Sequence, residues 1–228
     1  MLGKRSLLIL LSILSIIIII VTFVVFTHLG LQSDLVAVPG VKGGDYFTYD
    51  IKSFWISPDP DVTPEEDFLE INQTEWFKVS VIEVSGAEVS INTIWRFNNG
   101  TELERTGTMN VEAGIYYPTD GFWAIYATNL KAGDYVRPFG LDRSTVNKTS
   151  STQYAGGSRE TNRISLVQEA YDANDPTYTR TWIEYRTVYF DRQTGMLVEL
   201  RDINVTTNPD LTETIVWTIV DTNVWAIS

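Results

Sequence analysis

The chain predicts an all-β fold behind a single N-terminal membrane helix, and three observations predict it. An uncharged apolar run opens the sequence, alternating apolar and polar runs between turn residues fill the rest, and the two halves of that rest match each other in order. Composition narrows the function classes first. Among 228 residues there are no cysteines and one histidine, His28, beside the apolar run. Disulfide frameworks, thiolate metal sites, thiol nucleophiles, histidine triads and multi-histidine metal centres are therefore excluded. His28 reads as an interfacial spacer.

Residues 6–26 contain no charge, and a helix of that length spans roughly 31 Å, the thickness of a bilayer core. A cleavable signal has a shorter apolar region ending in small residues, whereas here Thr27-His28-Leu29-Gly30 follows, so the run reads as an uncleaved signal anchor. Lys4 and Arg5 precede it and the next basic residue is Lys42, which places the N-terminus in the cytoplasm and the remainder outside. The exterior part then has 15 Lys and Arg against 29 Asp and Glu, a net −14. Such a surface repels phosphate backbones, so nucleic acid is not an expected partner. The division expected is a cytoplasmic tail at 1–5, the anchor at 6–26, a stalk at 27–40, a first β repeat at 41–129 and a second at 130–228.

Within the exterior part the clearest strands lie in residues 77–111. Phe77, Val79 and Val81 alternate with polar residues, Ser85-Gly86 turns, and Val89, Ile91, Thr93, Trp95 and Phe97 share one face of the returning strand. Asn99-Gly100 turns again, and Leu103, Met109 and Val111 continue a third strand. Five short matches then recur in the second half. Lys42-Gly43-Gly44-Asp45-Tyr46 matches Lys131-Ala132-Gly133-Asp134-Tyr135, and residues 78–83 match 163–168. Phe97 matches Phe190, each before a turn, and Asn110-Val111 matches Asn204-Val205. Trp123, Ile125, Thr128 and Asn129 match Trp217, Ile219, Thr222 and Asn223. Colinear matches imply a tandem duplication, each half giving about five strands between an opening Gly-Asp-Tyr strand and a closing Trp-x-Ile-x-x-Thr-Asn strand. The expected architecture is an antiparallel meander of about ten strands forming one sandwich or curled half-barrel, since each half alone is thin for a core. Residues 57–73 and 170–179 are the expected insertions.

Asp59, Asp61, Thr63, Glu65, Asp67 and Glu70 fall at the oxygen-ligand spacing of a calcium loop, with Asp59, Asp61 and Glu70 the weak metal candidates. Pro64 stands where such a loop needs glycine. Thr63-Pro64-Glu65-Glu66 reads instead as an N-cap, a proline at the first helical position and a capping glutamate opening one short helix. Four glycosylation sequons begin at Asn72, Asn99, Asn147 and Asn204. Trp95, Trp123, Trp182 and Trp217 fall in expected strands, while Trp55 and Trp225 are the expected exposed rings. Arg159-Glu160 is the densest polar cluster and lacks a counterpart in the first half. No spacing marks catalytic or cofactor-binding residues.

The Ile-rich anchor, the opening Gly44-Asp45-Tyr46-Phe47-Thr48-Tyr49 and the closing Asp221-Thr222-Asn223-Val224-Trp225 resemble a broad set of uncharacterised archaeal membrane-anchored extracytoplasmic β-rich proteins. The strand number and the hairpin at residues 191–195 are also similar, to a lesser degree, to the curled sheets of bacterial lipoprotein carriers, which are soluble or anchored through a cysteine this chain lacks. The expected function is a non-catalytic, membrane-tethered exterior domain that binds an apolar, lipid-like ligand or an envelope partner. A structural or adhesive envelope component is the second expectation and a carboxylate-based glycan hydrolase the third.

Overall fold

A computed structural model describes residues 37–117, 122–141, 143–171, 177, 179 and 181–227. The apolar run at 6–26 and His28 lie outside the described residues. Among the described residues no helix is long and apolar enough to cross a membrane. Residues 37–228 make one compact unit.

The strands follow the alternation. They are β1 (Tyr46–Ile56), β2 (Thr74–Ser85), β3 (Glu88–Phe97), β4 (Glu102–Asn110), β5 (Tyr116–Tyr117), β6 (Lys148–Tyr154), β7 (Gly157–Tyr171), β8 (Thr181–Asp191), β9 (Leu197–Thr206) and β10 (Leu211–Thr222). One helix, α1 (Glu66–Ile71), lies between β1 and β2. All ten strands join a single antiparallel sheet in the order β5-β4-β3-β2-β1-β10-β9-β8-β7-β6, and the sheet is not closed into a barrel. The all-β expectation and the strand number therefore hold, with one sheet present instead of two facing sheets.

Each half forms its own meander, and the first and last strands meet at the centre. Phe47 faces Thr222 and Ile56 faces Thr212 along the β1–β10 ladder. Asn223 locks this seam: its Oδ1 accepts from the Tyr46 amide at 2.9 Å and its Nδ2 donates to the Gly44 carbonyl at 2.9 Å.

Alternate residues of the strands turn to one face and build the core. Phe47, Tyr49 and Ile51 on β1, Val79 and Val81 on β2, Val89 and Ile91 on β3, and Val188 and Phe190 on β8 are all buried. The described residues between Phe122 and Val146 supply Phe122, Ile125, Tyr126, Leu130, Val136 and Val146 to the same core. Its brace is Arg137, only 6% exposed, whose guanidinium donates to the carbonyls of Trp123, Ile125 and Val111 and sits 4.3 Å from the Tyr126 ring centre. Three backbone acceptors replace the water that a buried cation loses.

The hairpins at Gly86 and Gly100 stand where the sequence places them. The duplicated closing and opening strands do not. Residues 123–129 form only an isolated bridge, Ile125 to Met196, because their amides bond elsewhere: Tyr126 donates to Gly195, Thr128 to Val38 and Asn129 to Arg192. Tyr135 likewise makes a lone bridge to Thr145, and Pro138, which has no amide to donate, follows before a ladder can form. The short helix begins at Glu66 with Glu65 as an extended N-cap that makes no side-chain cap bond, so Thr63 does not cap it. Its start is set where Phe68 is buried and Ser53 can reach it, Ser53 Oγ donating to the Phe68 carbonyl at 3.4 Å.

Candidate functional site

Inward positions are not all filled by core. Phe77 on β2, Thr93 and Trp95 on β3, Leu103 and Arg105 on β4 and Trp217 on β10 surround an open cavity of about 470 Å³, with Phe122 and Trp123 from the covering segment and Asp67, Glu70 and Ile71 from α1. Its rings are held in place. Trp95 Nε1 donates to Thr74 Oγ1 at 2.8 Å, which fixes the indole plane, and Phe97 stacks on that indole at 5.5 Å. Phe77 meets Trp95 edge-on at 5.7 Å and Trp217 at 5.0 Å, and Phe122 lies 6.0 Å from Phe77. Such tilted and edge contacts are the favoured ring geometries, so the cavity wall is rigid without being closed.

Two further cavities adjoin it. One, of about 970 Å³, shares Asp67 and Ile71 with the first and reaches Trp182, Glu184, Asn204 and Glu213. The other, of about 760 Å³, shares Tyr116 and Trp123 with the first and extends to Phe139, Leu141 and Val167. Arg186 lines both of these. The first cavity thus shares lining residues with each of the other two.

At the junction a charged group interrupts the apolar lining. Arg186 on β8 stands opposite Asp202 on β9, and its Nη2 donates to Asp202 Oδ2 at 2.7 Å. The same Nη2 contacts Glu184 Oε1, and the guanidinium lies 5.4 Å from the Trp123 ring centre. Glu184 and Asp202 are each 8% exposed. Both carboxylates are thus drawn to one guanidinium. Burial holds the Glu184 carboxyl above its usual range; Arg186 opposes the rise and Asp202 adds to it. Glu213 is raised as well, first by burial and then by the charge of Glu65.

The residues singled out in the sequence fall differently. Asp59 and Asp61 sit in an exposed turn, where Asp59 Oδ1 accepts from the Asp61 amide at 3.0 Å, while Glu70 belongs to α1 and lines the aromatic cavity. Among the described residues no three His, Asp or Glu side chains converge as metal ligands. Asn72, Asn99 and Asn147 are exposed, whereas Asn204 is half-buried and lines the second cavity. Trp55 is exposed, but Trp225 is 9% exposed, against Phe47 at 5.9 Å and under Arg159 at 4.2 Å. Arg159 and Glu160 serve the β8–β9 turn. Arg159 binds Asp191 with two nitrogens at 2.7 and 2.8 Å, and Asp191 Oδ1 also accepts from the Gln193 and Thr194 amides.

The charged junction was missed by sequence reasoning although a signal for it exists. In residues 181–191 the alternation puts Glu184 and Arg186 in phase with Trp182, Val188 and Phe190, so two charges occupy inward positions. Comparison with family models and with curated proteins finds no match for this chain.

Proposed function

We propose that residues 37–228 are an extracytoplasmic binding module for an apolar, lipid-like ligand, held at the membrane by a helix at 6–26, and not a catalyst. One observation carries this reading: the aromatic cavity of about 470 Å³, walled by Phe77, Trp95, Trp217 and Phe122 and left unfilled by the described side chains. A cavity of that size, walled by rings with Asp67, Glu70 and Arg105 among its lining residues, suits an acyl-like chain along its aromatic side. Mature cores close such space, since voids forfeit dispersion contacts.

Three features support a curled half-barrel grown from a tandem duplication. Tyr49 on β1 donates its hydroxyl to the Leu197 carbonyl of β9, two strands away, as an inward-curving sheet allows. The turns that open the two halves share one geometry. Asp45 Oδ2 accepts from the Lys42 amide at 2.9 Å and Asp134 Oδ2 from the Lys131 amide at 2.9 Å, with φ of 91° at Gly44 and 92° at Gly133. Both meanders also run the same way across the sheet.

The test is titration of the full chain in lipid nanodiscs with the neutral probe N-phenyl-1-naphthylamine, with empty discs as blank. Saturable binding at one probe per chain, with energy transfer from tryptophan, is expected. Leu103→Trp, which fills the cavity mouth, should abolish it without lowering the melting temperature. Probe uptake no greater than that of empty discs would overturn the reading and leave a surface role in the envelope, to be sought by crosslinking.

A further inference from the structure

Two loops carry apolar side chains that the core does not take in. In the first, the Asn110 amide donates to the Ile115 carbonyl at 2.7 Å, closing the turn that leads into β5 and presents Ile115 and Tyr117. In the second, the Tyr135–Thr145 bridge and the Val136 amide, donating to the Ser144 carbonyl at 2.9 Å, close a loop whose tip carries Phe139 and Leu141. The loops are tied together, since the Phe139 amide donates to the Glu112 carbonyl at 3.0 Å, and the buried Arg137 braces the second. Ile115, Tyr117, Phe139 and Leu141 are 67%, 79%, 71% and 98% exposed. A lone exposed apolar residue is ordinary, but four on two joined loops with pinned backbones form a patch that marks a contact. Beside the second tip the Arg143 guanidinium lies 5.8 Å from the centre of the exposed Tyr135 ring, and tyrosine and arginine settle readily at a water–lipid boundary.

The length of chain ahead of the domain selects the occupant. The uncharged apolar run ends at Phe26 and the described residues begin at Ala37, so residues 27–36 join the two. Even fully extended they reach at most about 36 Å, on the order of one small-domain diameter. The chain enters beside Thr128, whose amide donates to the Val38 carbonyl, nine residues before the loop at 137–143 begins. A domain tethered this closely meets the bilayer at high effective concentration, so a patch of modest intrinsic affinity holds it there. We infer that Ile115, Tyr117, Phe139 and Leu141 form a second membrane contact, inserting into the headgroup region of the bilayer that carries the 6–26 helix. The inference rests on the anchor in the proposed function and names what the domain touches. Ile115, Phe139 and Leu141 also line the third cavity, which shares Tyr116 and Trp123 with the aromatic one, so docking sets the mouth of a connected apolar space against lipid.

The chain has no cysteine, so Leu141→Cys takes a single nitrobenzoxadiazole label. The labelled full chain is placed in phosphatidylcholine nanodiscs with and without doxyl-labelled lipid, beside Lys52→Cys, whose label stands on the face of β1 opposite the buried Ile51. Doxyl lipid should quench the label at 141 at least about twofold and leave that at 52 unchanged, and added salt should not alter the difference, because the insertion is apolar. Phe139→Cys repeats the test on the other tip residue. Equal quenching at 141 and 52, or quenching at neither, would overturn the docking while a chain that stays with the discs keeps the anchor standing. A blue-shifted label at 141 without lipid quenching would overturn it in favour of a protein covering the patch, a second copy included. A chain that does not stay with the discs would overturn the anchor, and the docking with it.

Discussion

Gly195 carries a double requirement. Its φ is +77°, and a β-carbon there would lie 1.9 Å from the Tyr126 carbonyl oxygen. Gly195→Ala should therefore destabilise the domain by about 3 kcal/mol or more, read by chemical denaturation, since neither backbone can yield without breaking the Tyr126 to Gly195 hydrogen bond. Glu184 makes a pH-dependent prediction. A carboxyl whose folded pKa is raised stabilises the native state fully below the ordinary glutamate value of about 4.3, and that stability is lost as pH rises through the raised value. Glu184→Gln does not titrate, so its melting temperature relative to the parent should climb as pH rises above the ordinary glutamate value of about 4.3. A gap that stays flat would show that the carboxyl is not raised. Among the sequons, Asn72, Asn99 and Asn147 should carry any glycan and Asn204 none, because Asn204 sits on an inward position of β9 lining a cavity; peptide mapping of native protein checks this. Residue legibility divides along sequence distance. Gly195 is readable as a turn glycine from Asp191 to Gly195, yet the carbonyl that forbids a side chain comes from a remote segment.

At the scale of elements, local signals were readable and remote ones were not. The hairpins between Phe77 and Val111 follow from period-two alternation and two glycine turns, each set by neighbours in sequence. Trp123 to Asn129 copies the pattern of a strand at Trp217 to Asn223 but finds the β8–β9 turn before it finds a ladder partner. Identical words thus take different structures because their surroundings differ. α1 is an intermediate case. Six residues cannot hold a helix alone, and Phe68 with Asn72 ties it to β1, Asn72 Oδ1 accepting from the Ser53 amide at 3.1 Å. Phe68→Ala should release α1 at a cost of about 3 kcal/mol, seen as faster amide exchange in residues 66–72 with β2 and β3 still protected. The aromatic cavity belongs to this scale as well. Trp95 and Trp217 were visible as inward rings, but the space they leave open depends on where the covering segment brings Phe122 and Trp123, which alternation does not encode.

Over the whole molecule, fold class, strand number and antiparallel order were legible because they follow from composition and turns. The single sheet was not, since its continuity depends on β1 meeting β10, a pairing between the two ends of the domain. A chain ending at residue 129 should therefore expose the β1 edge and self-associate, which sedimentation velocity would reveal as concentration-dependent oligomers. Monodisperse, folded material would contradict it. The seam also has a bearing on biosynthesis. The strand made first waits at the middle of the sheet for the strand made last, while the strands at both margins come from mid-chain. A polypeptide emerging N-terminus first cannot complete its centre until β10 has been made. Premature termination within the 12 residues of β10 would consequently remove an axle and not a rim, so a late frameshift would harm this protein as much as an early one.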